Sequence, residues 1–207
     1  MTAIMESGGR ITVGVMGSAA DFLTEAERTR LSMVAQRLGA AIARRGFVLL
    51  TGATTGLPDM VSRAAGALGC LTIGISPAAN REEHVTEWEL PPDGAQLIIY
   101  TGFGLKGRNV INIRASDIVI IFGGGMGTLN EFTIAYDEGK VIGVLRGSGG
   151  VADQVDSIVK FAGKPGRRPV LYDEDPEALI DSCVEALGSD RYSGLSPQGL
   201  DGFGVLQ

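Results

Sequence analysis

The sequence predicts a single-domain α/β protein built on a doubly wound, mainly parallel sheet with helices on both faces. Three observations carry this. Short apolar runs alternate with helix-period segments from Ile11 to about residue 187, the pattern of a parallel sheet covered on both sides. Many of the 31 glycines cluster where apolar runs end and helices open, so they read as turns and close-approach sites. A chain of 207 residues, 44% hydrophobic and 20% charged, is long enough for one sizeable core.

The elements follow in order. ITVGVM (11–16) is the first strand. Thr24-Glu25-Ala26-Glu27 is a capping box for a helix whose apolar positions Leu31, Val34, Ala35, Leu38 and Ile42 keep helical spacing. Arg44 and Arg45 suit its negative end, and Gly46 stops it. FVLLTG (47–52) is the second strand, and Pro58 opens a helix reaching about Gly69. LTIGI (71–75) is the third strand, followed by a long polar loop over 76–95. QLIIYTG (96–102), a helix over 105–115 and DIVIIF (117–122) come next. A helix from Gly127 to Glu138, VIGVL (141–145), a helix near 152–162 and PVLY (169–172) lead to a last helix with Asp175 as N-cap and Pro176 at its first position. The domain spans 11–187, between a flexible N-terminus (1–10) and a loose Gly- and Ser-rich tail (188–207). This alternation is Rossmann-like, and ligands of such sheets bind outside the carboxyl ends of the strands.

Composition narrows the function. The net charge of −6 argues against binding a nucleic acid polymer. No apolar run approaches the ~20 residues of a membrane span, and the N-terminus lacks a signal-peptide core, so a cytoplasmic setting is expected. Cys70 and Cys183 read as reduced, buried thiols. His84 is the one histidine; it sits in NREEHVTEWE and reads as an exposed loop residue. A His-based metal site is not expected, and no G-x-S-x-G nucleophile elbow is present.

The stretch Gly123-Gly124-Gly125-Met126-Gly127-Thr128-Leu129-Asn130-Glu131 carries the most chemistry. A buried strand ending in glycines and opening a helix is an anion pocket, because unpaired N–H groups and the positive helix end face the ligand. Gly17 and Ser18 end the first strand, with Ala19 and Ala20 beyond, and Gly52, Thr54 and Thr55 follow the second. All fall on the same edge, as do 101–104. Gly102-Phe103-Gly104-Leu105-Lys106-Gly107 has the form of a dinucleotide fingerprint, but the next strand ends in Phe122 and Gly123 instead of the acid that would hold a ribose. Lys106, Arg108 and Arg114 form a local basic segment, with Arg suited to phosphate or carboxylate; Arg108 and Asn112 share a helix face while Arg114 points elsewhere. Glu131 has two readings. With Thr128 it matches a capping box; alternatively its carboxylate stands at the mouth of the anion pocket, where it could bind a ribose hydroxyl, orient water or stabilise an oxocarbenium-like sugar.

Arg108 followed 23 positions later by Glu131, framing Gly124-Gly125-x-Gly127-Thr128, resembles the LOG (LONELY GUY) family and its wider superfamily of Rossmann-like nucleotide-binding proteins. Arg114 and Asp117 also fall on matching positions, and the similarity covers roughly 11–145. The resemblance implies a phosphoribohydrolase that cleaves the N-glycosidic bond of a nucleoside 5′-monophosphate to free base and ribose 5-phosphate, with Arg108 and Glu131 as catalytic residues. The sequence departs from that pattern: Gly123 replaces a proline, Asn109 a lysine, Ile111 a glutamate, and TGATTGLPD lacks a glycine run. These departures are similar to a sister group that includes molybdenum cofactor carrier proteins. That branch implies a binding or carrier protein for a phosphorylated nucleotide-like ligand, held by Gly17, Ser18, Gly52, Thr54, Thr55, Arg108 and the loop Gly123 to Thr128. No cofactor would be required; molybdenum cofactor or a nucleotide would be the bound ligand. A homo-dimer or tetramer is implied as well. Some relatives carry the label lysine decarboxylase; no pyridoxal phosphate motif is present, and that activity is not expected.

Overall fold

The computed structural model describes residues 10–18 and 24–193. The expected flexible N-terminus, Ala19 and Ala20 of the first loop, and the expected tail beyond Ser193 lie outside the described residues. Seven strands form one parallel sheet in the order β4-β3-β2-β1-β5-β6-β7. In chain order the elements are β1 (Thr12–Gly17), α1 (Glu25–Arg44), β2 (Val48–Thr51), α2 (Leu57–Ala67), β3 (Leu71–Ser76), α3 (Arg81–Thr86), β4 (Leu97–Tyr100), α4 (Gly104–Arg114), β5 (Ile118–Phe122), α5 (Met126–Glu138), β6 (Val141–Leu145), α6 (Val155–Ala162), β7 (Val170–Asp173) and α7 (Pro176–Ser193). The predicted α/β class and doubly wound topology are those observed.

The period of two along each strand divides the core into two layers. Ile118, Ile120 and Phe122 of β5 join Val13, Val15 and Leu49 under α1, α2 and α7. Val119 and Ile121 point the other way, onto Ile113 of α4, Phe132 of α5 and Val155 of α6. Close helix packing explains Gly39 of α1: a Cβ there would lie 2.7 Å from the Val61 carbonyl oxygen of α2.

Local signals behave as their chemistry requires. Thr24 and Glu27 form the capping box, with the Glu27 N–H donating to Thr24 Oγ1 and the Thr24 N–H to Glu27 Oε2. Asp175 accepts from the N–H groups of Glu177 and Ala178. The last helix continues past Gly188 to Ser193, so the part of the expected loose tail up to that residue is helical. Both cysteines are free and buried.

Two expectations are corrected between β3 and β4. The polar stretch 76–95 is not all loop: Asn80 caps α3 by accepting from the Glu83 N–H. His84 is fully buried, not exposed. Its Nε2–H donates to the Pro91 carbonyl (3.1 Å), which leaves Nδ1 to accept from the Ser76 hydroxyl (2.8 Å). The ring also meets Tyr100 edge-on at 5.7 Å. Its charged neighbours Arg81 and Glu82 face outward, and the helical turn that places them there turns His84 inward. Among the described residues no helix is long and apolar enough to cross a membrane.

Phe122 closes the β5 layer at the edge that carries the site. Phe122→Ala is expected to destabilise the fold by about 3–5 kcal/mol, measured as the shift in denaturant midpoint. A change under 1 kcal/mol would contradict this packing.

Candidate functional site

Strand order defines where a ligand goes. From β1 the chain winds outward through β2, β3 and β4, then crosses back to place β5 on the other side of β1. The crevice between β1 and β5 is therefore the topological switch point. A cleft of about 650 Å³ opens there, within the ~300–1,000 Å³ of ordinary ligand sites.

Backbone chemistry builds its floor. Gly17 pairs with Phe122 in register, and a Cβ on Gly17 would lie 2.4 Å from the Phe122 oxygen. This contact brings Ser18 against the glycine loop, where its Oγ accepts from the Gly124 N–H (2.6 Å). Gly124 has φ +104°, and a Cβ there would sit 2.4 Å from Thr128 Cβ; only glycine fits. Helix α5 then opens at Met126 with Gly125 as a cap that supplies no side chain. Its first N–H groups have no intrahelical acceptor. The positive end of a 13-residue helix thus borders the cleft without a side-chain cap.

The loop after β6 braces the turn from behind. The N–H groups of Val151 and Ala152 donate to the carbonyls of Gly124 (2.8 Å) and Gly123 (3.0 Å), and the Gly123 N–H donates to Ser148 Oγ (2.9 Å). Ser148, Gly149 and Gly150 line the cleft. Sequence reading missed them, although RGSGG after VIGVL repeats the strand-then-glycine signal of the other loops. Glu27 and Arg30 of α1 also reach the cleft wall.

Arg108 and Glu131 meet inside the cleft. Arg108 Nη1 donates to Glu131 Oε1 at 3.1 Å, with side chains only 6% and 8% exposed. The guanidinium lies on Gly52, where a Cβ would come within 2.3 Å of Nη1. Glu131 does not turn back to its helix start, and Thr128 donates to the Gly17 carbonyl (3.3 Å), so the capping-box reading of that pair is not realised. Asn109 Nδ2 donates to Asn130 Oδ1 (2.8 Å) and ties α4 to α5 beside the ion pair. Within this site, Arg108 Nε and Asn112 Oδ1 are buried without a hydrogen-bond partner among the described residues. Burial pushes the Glu131 carboxyl up to about 7, against the opposing pull of Arg108 and Lys106. Burial likewise lowers the Arg108 pKa, opposed by Glu131. The cleft therefore sets the open start of α5 beside a carboxyl that can give or take a proton near neutral pH.

Of the residues named from sequence, Gly17, Ser18, Gly52, Thr54, Arg108, Gly124, Gly125, Gly127, Thr128 and Glu131 line this cleft. Gly123 stands behind it as the braced turn. Thr55 is exposed outside it, and the Met126 side chain, 77% exposed, is not part of the lining. None of the glycines of the fingerprint-like 102–107 segment borders the cleft; Gly102 and Gly104, both with positive φ, turn the chain from β4 into α4. Arg114 pairs with Glu138 (2.8 Å). Asp117 accepts from the Thr12 N–H at the opposite edge of the sheet; both are structural.

This sheet order and glycine-braced cleft define a Rossmann-like protein with a cleft of ligand size at the switch point. The chain belongs to the SLOG cluster4 family, whose model matches residues 10–180. It is 33% identical over 140 residues to a cytokinin riboside 5′-monophosphate phosphoribohydrolase of Mycobacterium tuberculosis, covering 67% of this chain and 69% of that protein. Its fold is similar to that of the molybdenum cofactor binding protein of Rippkaea orientalis (TM-score 0.68, 30% identity, 89% of this chain and 99% of that one). It is also similar to the molybdenum cofactor carrier protein of Chlamydomonas reinhardtii (TM-score 0.67, 26% identity, 87% and 99%). The LOG-like resemblance read from Arg108, Glu131 and the glycine loop therefore holds.

The raised Glu131 pKa has a consequence for stability. Unfolded, this carboxyl ionises near its ordinary 4.5; folded, near about 7. Between those values the native state keeps a proton that the unfolded state has lost, so this contribution is fully present below pH 4.5 and declines as pH rises to about 7. Glu131→Gln should remove that decline. Its stability relative to wild type should rise by up to about 3 kcal/mol from low to neutral pH, measured by denaturant titration at both. An unchanged difference would contradict the buried-carboxyl assignment.

Proposed function

We propose that the cleft binds a phosphorylated nucleotide-like molecule and that the protein acts as its carrier or binding protein, in the manner of a molybdenum cofactor carrier. The observation that supports this most is the uncapped start of α5, framed by Gly124 and Ser18 and facing a cleft of ligand size. Phosphate would accept from the N–H groups of residues 126–128, and the partnerless Nε of Arg108 supplies a further donor. Among the described residues no three His, Cys, Asp or Glu side chains gather as a metal site. A molybdopterin-type cargo would then be gripped through its phosphate and ring. The free, buried cysteines fit a reducing, cytoplasmic setting.

A second reading, hydrolysis of a nucleoside 5′-monophosphate, is favoured by the Arg108–Glu131 pair within the same cleft. Water would break the C1′–N bond; Glu131 would steady the developing oxocarbenium ion or orient the water, and the base would leave with a proton. The ribose phosphate would stay on the α5 N-terminus. Incubation with a panel of nucleoside monophosphates separates the readings. The carrier account expects no free base, together with saturable binding of a phosphorylated pterin or nucleotide. Base release lost on Glu131→Ala would establish the hydrolase instead, and failure to bind any phosphorylated ring compound would reject both.

Self-association belongs to the same proposal. Leu97, Ile99, Phe103 and Leu105 follow one another along the β4–α4 edge and are 45–67% exposed, an apolar surface of the kind that marks contact sites. The protein should sediment as a dimer or tetramer, and Ile99→Lys with Phe103→Glu should give a folded monomer. A monomeric wild type would contradict this.

A further inference from the structure

A second depression, of about 360 Å³, lies between α5, α6 and β7. It is unconnected with the reading of the main cleft. Tyr136, Tyr172, Val159, Val170 and Arg167 are among the residues that line it. The connection 163–169 is held tightly over it. The Tyr136 hydroxyl donates to the Lys164 carbonyl (2.9 Å), and a Cβ on Gly166 would lie 2.7 Å from the Tyr136 ring. Gly166 therefore lets the backbone approach the ring as no other residue could. Arg146 covers one face of Tyr172 at 4.5 Å.

Charge here runs against the rest of the molecule. In a chain of net charge −6, Lys160, Lys164, Arg167 and Arg168 fall between 160 and 168 with no acid among them. Two of these four cations are paired, Lys160 with Asp156 (2.6 Å) and Lys164 with Asp137 (2.5 Å). The aliphatic stem of Arg167 lies on Gly139, within 3.1 Å of where a Cβ would stand. Its exposed side chain is thereby fixed at the rim. Two tyrosines with Arg167 beside them match a planar ring that carries a negative group, through aromatic contact and a bidentate arginine fork.

We propose that this depression is a second ligand site, for a planar aromatic anion of the nucleotide class. Its position gives it a route to the main cleft. Tyr136 lies on α5, about 15 Å along the helix from Met126, and its ring packs on Phe132 at 5.6 Å, the neighbour of Glu131. Occupancy at one end of α5 would bear on the helix whose other end borders the main cleft.

Amide NMR with AMP as the probe tests this on the full chain. Wild type should show two saturable groups of shifts, one at residues 124–128 and one at 166–172. Arg167→Glu, on an exposed side chain, should weaken the second group at least tenfold and leave the first in place. Tyr172→Ala should act in the same direction. Gly124→Val should abolish the first group and leave the second. Should that variant not fold, the Arg167→Glu comparison alone decides. Absence of saturable shifts at 166–172, or shifts there that Arg167→Glu leaves undiminished, would overturn the proposal. Absence of the 124–128 group from wild type, with the second group present, would count against the main cleft and not against this site.

Discussion

The pairing of β1 with β5 is the constraint on which the rest of the structure depends. Gly17 can lie against the Phe122 carbonyl only because it has no side chain. That contact sets the register of the two central strands and delivers Ser18 to the Gly124 N–H. The glycine turn, the free start of α5 and the loop after β6 are all positioned from there. The chain crosses from β4 to β5 at this same place, so the gap between outgoing connections opens over this close backbone contact. A cleft with rigid walls of main-chain atoms follows. Such walls present N–H groups at fixed positions and lose little entropy when a ligand arrives.

Within those walls the Arg108–Glu131 pair is a poor device for stability. Two charges removed from water recover their desolvation only with good geometry and full hydrogen bonding. Here Arg108 Nε has no partner among the described residues and Glu131 is pushed up to about 7. An apolar pair of similar volume would hold α4 and α5 together at lower cost, and Asn109 with Asn130 already links the two helices. The incompletely satisfied pair is instead what a site held ready for a polar ligand looks like. Both proposed readings, carrier and hydrolase, would make use of it. They differ in whether Glu131 faces a sugar carbon that is ready to lose its base.

Much of this was legible in the sequence because the responsible signals are local. Strand-then-glycine junctions located the sheet edge, and the capping residues Thr24 and Asp175 located their helices. Arg108 and Glu131 could be paired by their spacing in a family pattern, though nothing in the spacing tells whether Thr128 or Arg108 holds Glu131. Tertiary contact decides that, through Gly17 taking the Thr128 hydroxyl. His84 was misread for the same reason: its polar neighbours suggest solvent, while its burial depends on Ser76 and on the distant Pro91 carbonyl. The contribution of the 148–152 loop was overlooked because its value lies in the hydrogen bonds that Ser148, Val151 and Ala152 make with residues 123 and 124, which one stretch of sequence does not reveal. Thr55 and Met126 show the converse, motif positions that their own turns carry away from the cleft.

The central claim is that the start of α5 is the seat of a phosphate. A crystal structure of the protein grown with a nucleoside 5′-monophosphate tests it most directly. The account predicts the phosphate within hydrogen-bond distance of the backbone N–H groups of Met126, Gly127 and Thr128, with the ring extending along the β1–β5 crevice. A well-occupied ligand whose phosphate lies away from that helix end would contradict it.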